Sequence, residues 1–194
     1  RSFAATFVDL DGDGWLDLVF SNAEEGKDSF VYYGAEAGFS DDRLLKLPSV
    51  APHAVEIADV NNDKAPDIII AQEKGEISVA YLNEGGKFDP ARKIEFQTYT
   101  AKDCVVADFN KDGLADVFFT NHQHSLTGDI RLANRLINSY LYLGSATGFS
   151  NETLEEFQSI GAWGAGAADL NGDGWLDLLI CNHQGHYSYE VPSF

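Results

Sequence analysis

DLNGDGWLD, residues 169–177, recurs in close variants at three earlier points: DLDGDGWLD at 9–17, DVNNDKAPD at 59–67 and DFNKDGLAD at 108–116. The starts lie 50, 49 and 61 residues apart. Self-similarity at such a period marks a repeat architecture. Each nonapeptide follows a short apolar-alternating run, as in Ala5-Thr6-Phe7-Val8 or Val55-Glu56-Ile57-Ala58, and precedes a β-rich one, as in Ile68-Ile69-Ile70 or Val117-Phe118-Phe119. Strand, acidic loop, strand reads as a hairpin. A third strand with aromatics follows at 30–34, 77–82 and 139–144, and a weaker fourth at 43–47 and 93–96. Four short antiparallel strands per period predict an all-β chain of β-propeller blades. Three full periods and a final hairpin make about three and a half blades, a single segment over residues 1–194. The extra length of the third repeat falls within 124–138, where an ordered loop or one short helix is expected.

Within each nonapeptide, positions 1, 3, 5 and 9 carry Asp or Asn. The sets are Asp9, Asp11, Asp13, Asp17; Asp59, Asn61, Asp63, Asp67; Asp108, Asn110, Asp112, Asp116; and Asp169, Asn171, Asp173, Asp177. Oxygen donors crowded this closely repel one another unless a cation lies between them. Ca²⁺ accepts six to eight oxygens in flexible geometry, whereas Mg²⁺ demands a stricter octahedron. Position 7 (Trp15, Ala65, Leu114, Trp175) is expected to add a backbone carbonyl, and Gly14, Gly113 and Gly174 at position 6 permit a sharp turn with positive φ. Up to four Ca²⁺ are expected. The second loop is the weakest, because Lys64 replaces the glycine and Pro66 follows two residues later. An EF-hand is excluded: position 12 is Phe20, Ile70, Phe119 or Ile180 rather than Glu, and the flanks are strands.

Acids outnumber bases 31 to 13, a net charge of −18, which disfavours nucleic acid as a partner. Thirteen of the acids lie in the four loops. No run approaches the roughly 20 apolar residues of a membrane-spanning helix. The two cysteines, Cys104 and Cys181, read as two small buried thiols, with one disulfide as the other option. Asn151-Glu152-Thr153 is a glycosylation sequon, relevant to a secreting eukaryote.

These loops, with the Tyr-x-Gly and Gly-Phe elements after them, resemble the FG-GAP/VCBS repeat family, the calcium-bearing propeller blades of integrin α-subunits and of many bacterial secreted proteins. The stretch at 161–182 is most similar to bacterial members. The resemblance covers nearly the whole chain and implies a larger propeller of seven or eight blades. It also implies a geometry: metal loops at the bottom, ligand face at the top. Residues six before each first Asp then sit at the top rim, namely Phe3, His53, Lys102 and Trp163, together with the loops carrying His122, His124, His183 and His186. That histidine group reads as a transition-metal site, a sugar or general-base site, or ordinary polar loop.

The function expected is a secreted, cell-surface or periplasmic binding module for a protein or glycan, with Ca²⁺ structural and no catalytic residues assigned. Two other readings stand beside it: a carbohydrate-active enzyme of polysaccharide-lyase type using the histidine loops, and a structural repeat of a surface fibre. The remaining partner expected is the rest of the same propeller, or further copies of the chain.

Overall fold

The computed structural model describes residues 4–22, 28–123 and 136–182. Among the described residues fourteen strands form three four-stranded antiparallel meanders and one hairpin, in chain order. The first sheet holds β1 (Ala5–Val8), β2 (Asp17–Phe20), β3 (Ser29–Tyr32) and β4 (Leu44–Leu47). The second holds β5 (Pro52–Ala58), β6 (Asp67–Gln72), β7 (Ile77–Asn83) and β8 (Phe88–Gln97). The third holds β9 (Ala101–Ala107), β10 (Asp116–Asn121), β11 (Ser139–Tyr142) and β12 (Leu154–Phe157). β13 (Ala162–Ala168) and β14 (Asp177–Asn182) form the hairpin of the fourth. The blade pattern expected from the repeat is therefore present. The segment expected as a loop or helix lies mostly outside the described residues.

The sheets stack face to face, with first strands adjacent: β1 lies against β5, β5 against β9 and β9 against β13. Strand alternation explains how an apolar run serves two interfaces at once. Ile68 and Ile70 of β6 join Val19, Val31 and Leu47 in the core between the first two sheets. Ile69 and Ala71 face the other way and join Val117, Phe119 and Tyr142 of the third sheet. β6 is accordingly buried at every position, as is β10. β2 is buried only at alternate positions, because one of its faces meets a neighbouring sheet. On the outward faces of the array Phe7 and Leu179 are 59% and 46% exposed.

Hydroxyl pairs recur with the repeat. Ser29 meets Ser49 at 3.0 Å, Ser78 meets Thr98 at 2.9 Å and Ser139 meets Ser159 at 2.9 Å, each joining the start of a third strand to the segment after the fourth. Tyr142 in β11 donates to the Gln97 carbonyl at 2.8 Å, and Tyr81 in β7 donates to the Pro48 carbonyl, so each blade grips the exit of the one before it. Both cysteines are free thiols; Cys104 is buried as expected, but Cys181, in the fourth sheet, is exposed rather than buried.

The second blade departs from its neighbours after its third strand. Gly85 and Gly86, with φ of 60° and 81°, make a two-residue turn between Asn83 and Phe88, and β8 begins at once. Such turns need positive φ at both central residues, which glycine supplies. β8 therefore starts at Phe88, five residues before the strand read from sequence. The first and third blades reach their fourth strand through a turn at Gly38 or Gly148 and a 3₁₀ turn.

Glycine at the end of the third strand has a different cause. A Cβ on Gly144 would lie 2.3 Å from the Ala115 carbonyl oxygen, and one on Gly34 would lie 2.3 Å from that of Leu16. Gly144→Ala is expected to destabilise the chain by about 1–3 kcal/mol, the usual cost of forcing atoms into a packed site. Gly166→Ala, where an added Cβ meets nothing within 4 Å, should stay within about 0.5 kcal/mol. Urea denaturation of the two variants checks this; equal losses would refute the close approach as the cause.

Candidate functional site

Each acidic loop folds on its own side chains. The position 1 carboxylate accepts the N–H of position 6 in all four: Gly14 to Asp9 at 3.0 Å, Lys64 to Asp59 at 2.7 Å, Gly113 to Asp108 at 2.9 Å and Gly174 to Asp169 at 2.8 Å. The position 5 carboxylate accepts the N–H of position 7, at 2.8–2.9 Å, from Trp15, Ala65, Leu114 and Trp175. Asn61, Asn110 and Asn171 at position 3 each donate a side-chain N–H to the position 5 carboxylate at 2.9–3.0 Å. The second loop keeps the common shape: Lys64 takes a φ of 73°, close to the 85–87° of Gly14, Gly113 and Gly174. A lysine there holds a conformation that strains an L-residue.

Position 4, not singled out from the sequence, shares this conformation. Gly12, Asn62, Lys111 and Gly172 have φ between 61° and 77°. The signal was visible as a recurring Gly or Asn, residue types that tolerate the left-handed region.

Position 9 differs from the rest. Asp17, Asp67 and Asp116 are fully buried. One oxygen of each accepts the N–H of position 2, from Leu10, Val60 and Phe109 at 2.8–3.0 Å. The other accepts the N–H of Gly34, Asn83 or Gly144 at the end of the third strand, at 2.7–2.8 Å. Burial pushes all three carboxyls up, Asp67 to about 6, against the lowering by these bonds; nearby loop carboxylates raise them further. Asp177 accepts from Leu170 at 2.9 Å and is only half-buried.

The donors are oxygens throughout, which suits a hard cation. In the first loop Asp9, Asp11 and Asp17 each bring a carboxylate oxygen within 4.8 Å of the others, the one such group of acid, histidine or cysteine atoms among the described residues. Asp13 points an oxygen at Arg43, 3.4 Å away. Lys111 in the third loop places its ammonium 3.9 Å from the Trp175 ring centre in the fourth. A cleft of about 380 Å³ lies between the second and third loops, lined by Asp59, Asn61, Asp108 and Leu114 among others.

The other end of the first strands carries the rim residues. His53 Nδ1 is 2.7 Å from the Lys102 carbonyl oxygen, so Nδ1 donates there. Trp163 stands edge-to-face with His53 at 5.6 Å and with His122 at 5.2 Å between ring centres. The Lys102 ammonium sits 4.8 Å from the Trp163 ring centre and pairs with Glu73 Oε1 at 2.6 Å. Burial, and then the Lys102 charge, push the His53 pKa down. His53, Lys102, His122 and Trp163 thus converge, with Glu73 as a member the sequence did not reveal. His124, His183, His186 and Phe3 lie outside the described residues. Asn151 is exposed at the start of a 3₁₀ turn.

The Asn beside each histidine loop has a bracing role. Asn121 Oδ1 accepts the Tyr99 N–H at 2.7 Å and Asn182 Oδ1 accepts that of Ile160 at 2.8 Å. Gln72 does the same for Val50 at 2.6 Å. An amide five residues after the last loop Asp was the readable signal.

A search of the curated proteins found no match. Among solved structures the chain is similar to the V. cholerae biofilm matrix protein Bap1, with 17% identity and a TM-score of 0.45 over 92% of this chain and 34% of that one. The chain thus spans about a third of the length of that protein. The model of the FG-GAP-like repeat matches residues 9–70 and 59–119. With these matches over loops and strands of the repeating hairpin, the chain belongs to the FG-GAP-like repeat family, whose repeats are propeller blades.

Proposed function

We propose that this chain is a calcium-stabilised FG-GAP module that works outside the cytoplasm, at a cell surface, in a periplasm or in the medium, and binds a protein or glycan at the rim opposite its metal loops. The observation that carries it is the first loop, where three carboxylates face one another within 4.8 Å. Like charges at that spacing favour a bound divalent cation, and Asp, Asn and backbone carbonyl oxygens suit Ca²⁺. Asp9, Asp11, Asp13, Asp17 and the Trp15 carbonyl would hold the first ion, and the equivalent groups the others. Buried position 9 carboxyls with raised pKa values supply a further motive, since a cation beside them favours their ionised form.

Calcium here does no chemistry. Bound there, it would offset the repulsion of the loop carboxylates, while the position 9 Asp joins the β-hairpin tip to the end of the third strand through its own hydrogen bonds. Micromolar-to-millimolar affinities are usual for such oxygen loops, and millimolar Ca²⁺ is an extracellular condition. The rim lies six residues back along the first strand, about 20 Å from the loop at a strand rise near 3.3 Å per residue. Ion and ligand therefore do not touch. The exposed apolar side chains on the outward sheet faces, Phe7 and Leu179, suit further blades packing there.

Thermal melts test the calcium. A loop filled at a hundredfold excess over its dissociation constant adds about 2.7 kcal/mol, worth roughly 5–10 °C in a chain of this size. Excess EDTA should remove that increment and Ca²⁺ restore it; an unchanged melt would sink the reading. Two substitutions separate the loop's parts. Asp112→Ala, at an exposed position, should lose the calcium-dependent increment at the third loop while leaving the EDTA melt within a few degrees. Asp116→Asn should lower stability by about 1–3 kcal/mol even in EDTA, because an amide N–H would face a backbone N–H in a buried site. Matching behaviour of the two in EDTA would show that position 9 has no role apart from the ion.

A further inference from the structure

The rim residues share a backbone irregularity. In β5 the pairing jumps from Pro52↔Gln72 to Ala54↔Ala71, so the register passes over His53. In β9 it jumps from Ala101↔Asn121 to Asp103↔Thr120, skipping Lys102. In β13 it jumps from Ala162↔Asn182 to Gly164↔Cys181, skipping Trp163. Each of the three is the extra residue of a β-bulge. A bulge gives up regular pairing and re-aims a side chain, and bulges gather next to functional sites. Three consecutive blades repeat the device at one height, and the three re-aimed side chains meet.

Their charges and exposures select a ligand. Lys102 is 5% exposed and its ammonium is neutralised by Glu73, so it offers little to an anion. Asp103 and Glu56 add carboxylates close by, and the chain carries −18 overall, which repels anions further. A cation fares no better at the indole, because the Lys102 ammonium already sits over that ring. What faces solvent is Trp163, 47% exposed and oriented by two imidazoles, with the Glu73 side chain, 37% exposed, held nearby through Lys102. An aromatic surface with a few placed polar groups is the usual make-up of a small-molecule site.

We propose that this bulge-built rim binds an uncharged sugar ring, its apolar C–H face against Trp163 and its hydroxyls donating to the Glu73 carboxylate. The assignment rests on the rim being the ligand face, as proposed above, and is independent of the calcium loops. A glycan array carrying neutral and acidic saccharides, probed with the labelled chain in calcium, tests it. Signals are expected on uncharged saccharides. Trp163→Leu should weaken them about tenfold or more, a loss of about 1.4 kcal/mol or greater. Trp163→Phe, which keeps a ring, should recover most of the signal. Should Trp163→Leu fail to fold, fluorotryptophan labelling of the unmutated chain gives a second readout: the Trp163 fluorine resonance, assigned with Trp163→Phe, should shift when the best array saccharide is titrated in.

A blank array, signals confined to acidic saccharides, binding unchanged in Trp163→Leu, or an unmoved Trp163 resonance would each overturn the proposal. A blank array together with a Trp163-dependent protein ligand would overturn it in favour of a protein. A calcium-dependent melt beside a blank array leaves the calcium reading standing, and Trp163-dependent signals beside a calcium-independent melt remove only that reading.

Discussion

The buried carboxylate at the last position of each of the first three acidic loops holds a blade together. Asp67 takes the Val60 N–H on one oxygen and the Asn83 N–H on the other, so one side chain joins the hairpin loop to the end of the third strand. Asp17 and Asp116 repeat this in the neighbouring blades. Hydrogen bonds to a charged acceptor are stronger than neutral ones, which lets the charge stay inside. Beside this bond, Gly34 and Gly144 approach the Leu16 and Ala115 carbonyl oxygens too closely for a Cβ. In the second blade Asn83 replaces glycine, and its side chain donates to the carbonyls of Pro66 and Leu10, which also ties that blade to the one before. In the fourth loop Asp177 accepts the Leu170 N–H in the same way and is half-buried.

The two ends of each first strand carry different work. At one end the loop turns on side-chain acceptors and left-handed residues, making a cradle of oxygen atoms. At the other end of β5, β9 and β13, a bulge turns one residue per strand toward the same point. Between them the first strands pack side by side, so the spacing of the rim residues is set by the stacking of the sheets. Braces that recur with the repeat fix that stacking: the hydroxyl pairs, the tyrosines reaching back to the previous blade, and the amides at Gln72, Asn121 and Asn182. A rim assembled from three blades depends on all of them.

Much of the fold was legible because its signals are local. The loop spacing, the flanking alternation and the Gly-Phe turns each act over fewer than ten residues, and the strands appear where they were expected. The early start of β8 was missed, since the tight turn at Gly85-Gly86 returns the chain to pairing at Phe88. The acidic loops were legible from their spacing, but the structural burden on position 9 was not. Its carboxylate looks the same in sequence as the exposed one at position 5; only the return of the third strand buries it.

The rim was legible only as a list. His53, Lys102 and Trp163 stand at one offset before the loops, which marks them as equivalent without saying that they touch. The sequence by itself determined the repeat, the strand order, the loop chemistry and the equivalence of those positions, because periodicity and short-range hydrogen bonding decide them. The tertiary structure alone decided that Glu73 neutralises Lys102, that two imidazoles steady Trp163, and that three bulges aim at one place. Those contacts link residues tens of positions apart, and they follow from how the sheets stack rather than from any spacing along the chain.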